Sequence, residues 1–155
     1  MVDVCKAMRV DFDESKPYVL FHSGIYSQWH KSSFQAPLVV GPDQNTFRTW
    51  SCCEQYMMAG KAILFGDTEI LQQILATNNP RNHKEFGRQV RGFKRKIWNQ
   101  QKFNIVCAGN YYKFRNESNL RDQVGTPKLH LFLWSYFLIL CPFGAATTNW
   151  RQNNG

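Results

Sequence analysis

Cysteine and histidine are too few and too scattered in this sequence to build a metal or disulfide framework. The five cysteines are an odd number, and no two of them have the C-x-x-C spacing of redox and zinc motifs. The four histidines lack metal-ligand spacing, so no metal site is expected. The opening residues, MVDVCKAMRVDFDESK, carry acids where a signal peptide would be apolar. We therefore expect reduced thiols in a cytoplasmic or nuclear protein.

Acidic residues are also scarce. Lys and Arg number 19 against 11 Asp and Glu, which gives a formal net charge of +8. This excess predicts an anionic partner, but it does not choose among phosphate-bearing metabolites, nucleic acid and anionic membrane. Because 43% of the residues are hydrophobic and 19% are charged, the chain should be globular rather than disordered. Its 155 residues suffice for one domain with a hydrophobic core.

Charged side chains are missing altogether from one segment near the end of the sequence. Residues 129–149 contain no Lys, Arg, Asp or Glu, and their dense apolar run, 129–143, is shorter than the ~20 residues of a membrane-spanning helix. The segment could be a buried hairpin, a membrane-seeking tail or sequence foreign to the fold. We therefore divide the chain into an N-terminal arm (1–17), a domain (18–126) and an atypical apolar tail (127–155).

The domain itself has the pattern of a single, mainly helical α+β fold with a small sheet. Residues 34–50 predict two short strands around a Gly-Pro-Asp-Gln-Asn turn. Ser51 and Glu54 form the S-x-x-E pattern of a capping box at the start of a helix. Four helices are predicted in turn, over residues 52–65, 68–77, 80–87 and 90–107.

Two charged side chains share one face of the first predicted helix, which is otherwise almost wholly apolar. At 3.6 residues per turn, Glu54 and Lys61 lie on a stripe with Met58 and Phe65. They are ~10.5 Å apart along the helix axis, which is too far for a direct ion pair. Each therefore needs a partner from elsewhere or a polar cavity. A pocket that binds an anion or a sugar would provide partners for both side chains, and so would neighbouring structural residues. For Glu54, the capping box is a further structural alternative.

Further positions have both a structural and a functional interpretation. Asp67 either caps the second helix or binds ribose hydroxyls. Arg88, after Gly87, either makes a bidentate phosphate contact or is solvated. Residues 81–96 hold seven Lys or Arg against one Glu, which is the strongest nucleic-acid signal in the chain. The run lacks an RNP aromatic pattern, a zinc-finger spacing and a convincing helix-turn-helix, and a charge run on helices is usually a solvated face. Trp98 either stacks on a heterocycle or packs in the core.

Four segments, taken in order, resemble one known family, the YbiA-like or NADAR proteins. WSCCEQYMMAGKAILFGD (50–67) is similar to the family's core helix signature. YSQWHKSSF (26–34) resembles its S-N-F/W segment, with Gln28 in place of the usual Asn. ILATNNPRNHKEFGRQVRGFKRKIW (74–98) and NYYKFRNESNLRDQ (110–123) resemble two later family segments.

The resemblance implies an α+β domain with a pocket for ribose-phosphate ligands and no metal or cofactor. Some members hydrolyse the base–ribose bond of phosphorylated ribosylamino-pyrimidine intermediates of riboflavin biosynthesis, and others act on ADP-ribose conjugates. A small phosphorylated ribosyl substrate is therefore the expected partner, with nucleic acid as the alternative and no membrane. The resemblance implies that Glu54 is the catalytic carboxylate. The substrate-binding residues it implies are Ser27, Trp29, Lys61, Asp67, Arg88 and Trp98.

One part of the family pattern is missing. The family continues with a segment, L-V-E-A-S-P-x-D-x-x-W-G-x-G, that supplies further acids, whereas no Glu or Asp follows Asp122 here. We therefore expect that residues 127–155 do not complete the active site in the family's manner. A frameshifted or alternatively spliced tail would explain the departure.

Overall fold

The computed structural model describes residues 24–42 and 44–120. Over these residues a two-stranded antiparallel sheet is followed by four helices, which confirms the predicted mainly helical α+β class. The arm at 1–17 and the tail at 127–155 lie outside the described residues. The strands are β1 (Phe34–Pro37) and β2 (Phe47–Trp50), and the helices are α1 (Cys53–Leu64), α2 (Thr68–Leu75), α3 (Pro80–Gln89) and α4 (Arg95–Asn116).

Helix α1 is the central element of the described fold. Nine of its twelve residues are buried, because α2, α3 and α4 all pack against it. Small residues permit this close packing: a Cβ on Gly60 would lie 3.0 Å from Ile105 Cγ2 of α4. A charged side chain on α1 must therefore find its partners inside the protein rather than in bulk water.

One side-chain hydrogen bond joins the two strands of the hairpin, and another fastens the hairpin to α1. Phe34 pairs with Trp50 in the antiparallel register, and Trp50 Nε1 donates to the Ala36 carbonyl at 2.9 Å. Tyr56 of α1 donates its hydroxyl to the Pro37 carbonyl at 2.9 Å. The two predicted strands are confirmed, and the hairpin covers the start of α1.

The predicted capping box at α1 is wrong. The N-cap residue is Cys52, and it makes no side-chain cap hydrogen bond. Gln55, not Glu54, reaches back: its Oε1 accepts from Ser51 N at 2.8 Å and from Ser51 Oγ at 2.9 Å. The Glu54 backbone N–H donates instead to the Gln28 carbonyl at 3.1 Å. Gln55 is held there from its other end by hydrogen bonds to α2 and the following loop, so tertiary contacts override the local motif.

Two glycines explain the bounds and packing of the last two helices. Gly92 has φ +69, which only glycine adopts readily, so helix α4 begins at Arg95 rather than at the predicted residue 90, and it continues to Asn116. Gly87 lies inside α3, where a Cβ would overlap Met58 Sδ and come within 2.8 Å of Met58 Cγ. Gly87 thus permits α3 to pack on α1, and no positive φ is involved. None of the described helices is long and apolar enough to cross a bilayer.

Asp67 caps α2, as one of its two interpretations predicted. Its Oδ1 accepts from Ile70 N at 3.2 Å. Arg91 adds three hydrogen bonds to the same carboxylate, from N at 2.9 Å, Nε at 3.0 Å and Nη2 at 2.6 Å. The Arg91 side chain and backbone hold the pKa of Asp67 well below its usual range. This pair ties the start of α2 to the loop between α3 and α4.

We expect Asp67→Asn to destabilise the protein at pH 7 and to matter less in acid. The unfolded Asp has a pKa of about 3.9 and the folded one is lower, so the ionised carboxylate favours folding above about pH 4. That contribution declines as the pH falls toward the folded pKa. Urea unfolding at pH 7 and pH 3 measures the difference between the two proteins.

The matched control is Glu69→Gln, since the exposed Glu69 carboxylate also lies 3.0 Å from Arg91. An exposed ion pair contributes little to stability, so this variant should unfold nearly as the unaltered chain does. A destabilisation by Asp67→Asn that is the same at both pH values would contradict the assignment.

Candidate active site

Glu54 is a buried carboxyl group in the first turn of α1. Only 6% of the residue is exposed. Its carboxylate accepts a hydrogen bond from the Trp29 side chain and lies within the field of Lys84. Burial raises the pKa of Glu54 to about 7, although Lys84 and Trp29 act in the opposite direction. A carboxyl group with a pKa near neutral pH is suited to general acid–base catalysis.

Trp29 connects this carboxyl group to the surface. The residue is 40% exposed, and Lys84 Nζ of α3 lies 5.5 Å from the centroid of its ring. Ser27 Oγ accepts a hydrogen bond from Trp29 N at 3.2 Å. The structure thus brings Ser27 and Trp29 to the Glu54 side of α1, while their contact with substrate stays a prediction.

Lys113 of α4 holds the turn that carries Trp29, and the sequence analysis did not identify it. The residue is wholly buried, and its Nζ donates to the carbonyls of Ile25 at 2.6 Å and Ser27 at 3.1 Å. Burial lowers the pKa of Lys113. A buried ammonium group is costly unless it is hydrogen-bonded, so these two carbonyls and the lysine fix each other. In the sequence, Lys113 is marked only by its position within segment 110–123, which resembles the family.

Lys61 lies in a separate cluster farther along α1. Its Nζ donates to the Gly87 carbonyl at 2.6 Å and stands 4.4 Å from the Phe93 ring centroid and 5.7 Å from that of Trp98. Burial lowers the pKa of Lys61. Arg88 is exposed and follows Gly87 directly. Lys61 and Trp98 are therefore neighbours, and the convergence of Lys61 and Arg88 on one anion pocket stays a prediction.

Two cavities in the described part of the chain are lined by residues other than Glu54. Asp67, whose oxygens already cap α2 and bind Arg91, lines a mostly apolar cavity of about 280 Å³ together with Ile63 and Leu71. Its predicted contact with ribose hydroxyls stays a prediction. A second, more polar cavity of about 540 Å³ is lined by residues that include Ser32 and Gln55. Neither lining includes Glu54, so the candidate site rests on the contacts and ionisation of Glu54 rather than on cavity size.

A buried cysteine–histidine pair adjoins Glu54 without forming a nucleophile. His83 hydrogen-bonds through Nε2 to the Thr77 carbonyl at 2.8 Å, and its Nδ1 faces Cys52 Sγ at 3.7 Å. Burial lowers the pKa of His83 and raises that of Cys52. A reactive cysteine needs a lowered pKa, so this pair joins α3 to the start of α1 as a structural contact. Across residues 24–42 and 44–120, no three His, Cys, Asp or Glu side chains are grouped to hold a metal ion.

Lys113→Met should raise the pKa of Glu54. The variant leaves the Ile25 and Ser27 carbonyls without their donor, which should lower the free energy of unfolding by about 1–3 kcal/mol. The loosened turn weakens the Trp29 hydrogen bond, which normally lowers the Glu54 pKa. Carbon NMR of the Glu54 carboxyl group across pH 5–9 measures the shift. Arg115→Met, an exposed change on the same helix, is the control; an unchanged Glu54 pKa in Lys113→Met would refute the positioning role.

Comparison with known proteins gives a consistent result. The N-glycosidase R617 of Acanthamoeba polyphaga mimivirus is 36% identical over 119 residues, which cover 72% of this chain and 68% of that protein. The protein irg-1 of Caenorhabditis elegans is 31% identical over 121 residues, which cover 72% of this chain and 57% of that protein. The family description "NADAR domain" matches residues 15–131, a range that contains every described residue. The chain therefore belongs to the NADAR domain family.

Proposed function

We propose that this chain is an N-glycosidase that hydrolyses phosphorylated ribosylamino-pyrimidine intermediates of riboflavin biosynthesis and releases ribose 5-phosphate. The family membership and the N-glycosidase relative support the glycosidase activity. Glu54 is the observation in this chain that carries the proposal, because its buried carboxyl group has a pKa of about 7. The identity of the substrate rests on the family resemblance alone.

The reaction needs a carboxylate near the anomeric carbon. Water adds its oxygen to C1 of the ribose while the C1–N bond breaks, and the electrons of that bond stay with the nitrogen, which takes up a proton. Positive charge develops on the sugar in the transition state. Ionised Glu54 would stabilise this charge or take the proton from the attacking water. The exposed face of Trp29 is suited to stack on the departing base.

Cations around the site would bind the phosphate group. Lys84 already lies beside Trp29, and Arg88 is exposed one turn farther along α3. A guanidinium group can bind a phosphate through two hydrogen bonds. Lys61 and Trp98 would complete the substrate contacts in this proposal, although Lys61 is hydrogen-bonded to the Gly87 carbonyl in the structure.

The proposal is tested by incubating the purified chain with a ribosylamino-pyrimidine phosphate and measuring released ribose 5-phosphate. The alternative is a protein that binds ADP-ribose conjugates or nucleic acid without cleaving them. It is tested by measuring the binding of ADP-ribose and of single-stranded DNA at about 50 and 200 mM salt. Nucleic acid held by several phosphates should dissociate steeply as salt rises, whereas a pocket with one phosphate should respond mildly. Arg91 is already engaged with Asp67 and Glu69, so fewer cations of the 81–96 run are available to a nucleic acid.

We expect Glu54→Gln to lose about 10²–10⁴-fold in kcat, which is the usual contribution of a general acid or base. Glutamine keeps an acceptor for the Trp29 N–H, so the change removes ionisation with little loss of contacts. The control is Glu85→Gln, which neutralises an exposed carboxylate on α3. A loss below tenfold in Glu54→Gln would remove Glu54 from the chemistry.

Glu54→Gln should also change how stability depends on pH. The pKa of Glu54 is raised from 4.5 to about 7 in the folded protein, so its contribution to stability is full below about pH 4.5 and is lost as the pH rises through 7. At pH 8 the variant should therefore unfold with a free energy up to about 3 kcal/mol higher than the unaltered chain. Urea unfolding at pH 5 and pH 8 measures this, and a difference that does not vary with pH would contradict it.

A further inference from the structure

Gln28 is a buried polar residue that the proposed mechanism does not use. It is 5% exposed, and within the described residues neither Nε2 nor Oε1 of its amide has a hydrogen-bond partner. Its backbone carbonyl accepts from Glu54 N at 3.1 Å, and the next residue, Trp29, hydrogen-bonds the Glu54 carboxylate. The backbone of Gln28 is thus anchored at the start of α1, next to the candidate catalytic residue.

Gln55, a second buried glutamine in the same fold, has hydrogen-bond partners for its amide. It is 4% exposed, yet its amide accepts from Ser51 and donates to the carbonyls of Ile74 and Thr77. A buried amide without partners costs free energy, since it has lost its hydrogen bonds to water. The hydroxyl of Ser32 is also unpartnered, but Ser32 lines the polar cavity. Gln28 alone of these three combines an unpartnered side chain with a direct backbone contact to Glu54.

We propose that Gln28 binds the ribose of the substrate through two neighbouring hydroxyl groups, an inference that rests on the proposed N-glycosidase function. The amide presents a donor at Nε2 and an acceptor at Oε1. A hydroxyl both donates and accepts, so a vicinal diol matches both ends. A phosphate group only accepts and would leave Oε1 unmatched. Gln28 therefore binds the sugar rather than the phosphate, close to the carbon at which Glu54 acts.

Stability of the unliganded protein gives the first test. Gln28→Met replaces the amide by an apolar side chain of similar size, so its melting temperature should stay the same or rise by a few degrees, about 2–4 °C. Gln55→Met, the matched control, breaks satisfied hydrogen bonds at similar burial and should melt well below the unaltered chain. A clear fall in the melting temperature of Gln28→Met would show that its amide is a structural group and would overturn the proposal.

Ligand selectivity gives the second test, by calorimetry with ribose 5-phosphate and 2-deoxyribose 5-phosphate. The unaltered chain should bind the ribose compound about tenfold more tightly, as expected for one hydrogen bond, and Gln28→Met should bind both alike. Gln28→Met should also lose at least about tenfold in kcat/KM, while Gln28→Asn, which keeps the amide, should retain more activity than Gln28→Met.

The outcomes separate this inference from the proposed function. If the unaltered chain releases no ribose 5-phosphate from its substrate, the proposed function fails and the inference fails with it. If the unaltered chain is active but Gln28→Met keeps its kcat/KM and its preference for ribose, only the Gln28 assignment fails.

Discussion

The burial of α1 is the constraint on which the rest of this structure depends. Three helices pack around it, so every polar side chain on α1 must be satisfied within the protein. Gln55 meets this demand completely, and Lys61 meets it through the Gly87 carbonyl. The hydrogen bond from Trp29 and the positive charge of Lys84 both lower the pKa of Glu54, but burial raises it by more. This incomplete compensation is what distinguishes Glu54 chemically from its neighbours.

The candidate site depends on segments that are far apart in the chain. Lys113 reaches the Ile25 and Ser27 carbonyls across more than eighty positions, and that contact fixes the turn from which Trp29 meets Glu54. The site is thus built from a rigid helix, α1, and a loop whose geometry is imposed by a buried cation on α4. Such support from packed elements is what keeps a small set of side chains in a productive arrangement.

The local features of the fold could be predicted from the sequence, and the long-range ones could not. Asp67 and Asn79 cap their helices as expected, because an N-cap needs only a short side chain and the N–H groups two or three residues ahead. The capping box failed because Gln55 is held by carbonyls 19 and 22 residues away. The unsatisfied amide of Gln28 and the fully buried Lys113 likewise depend on contacts that no sequence pattern reveals.

At the start of α1, the effect of burial on each pKa determines which ionisable group titrates near neutral pH. Burial favours the neutral form of each ionisable side chain there. For thiols this moves the pKa away from neutrality, and that of Cys53 rises to about 12. For His83 it lowers a pKa that already lies below 7. Only for a carboxyl group does the same effect lead toward neutrality, from 4.5 to about 7 at Glu54. Among the two thiols, the imidazole and the carboxyl group at this buried helix start, the carboxyl group is therefore the one whose pKa burial brings close to neutral pH.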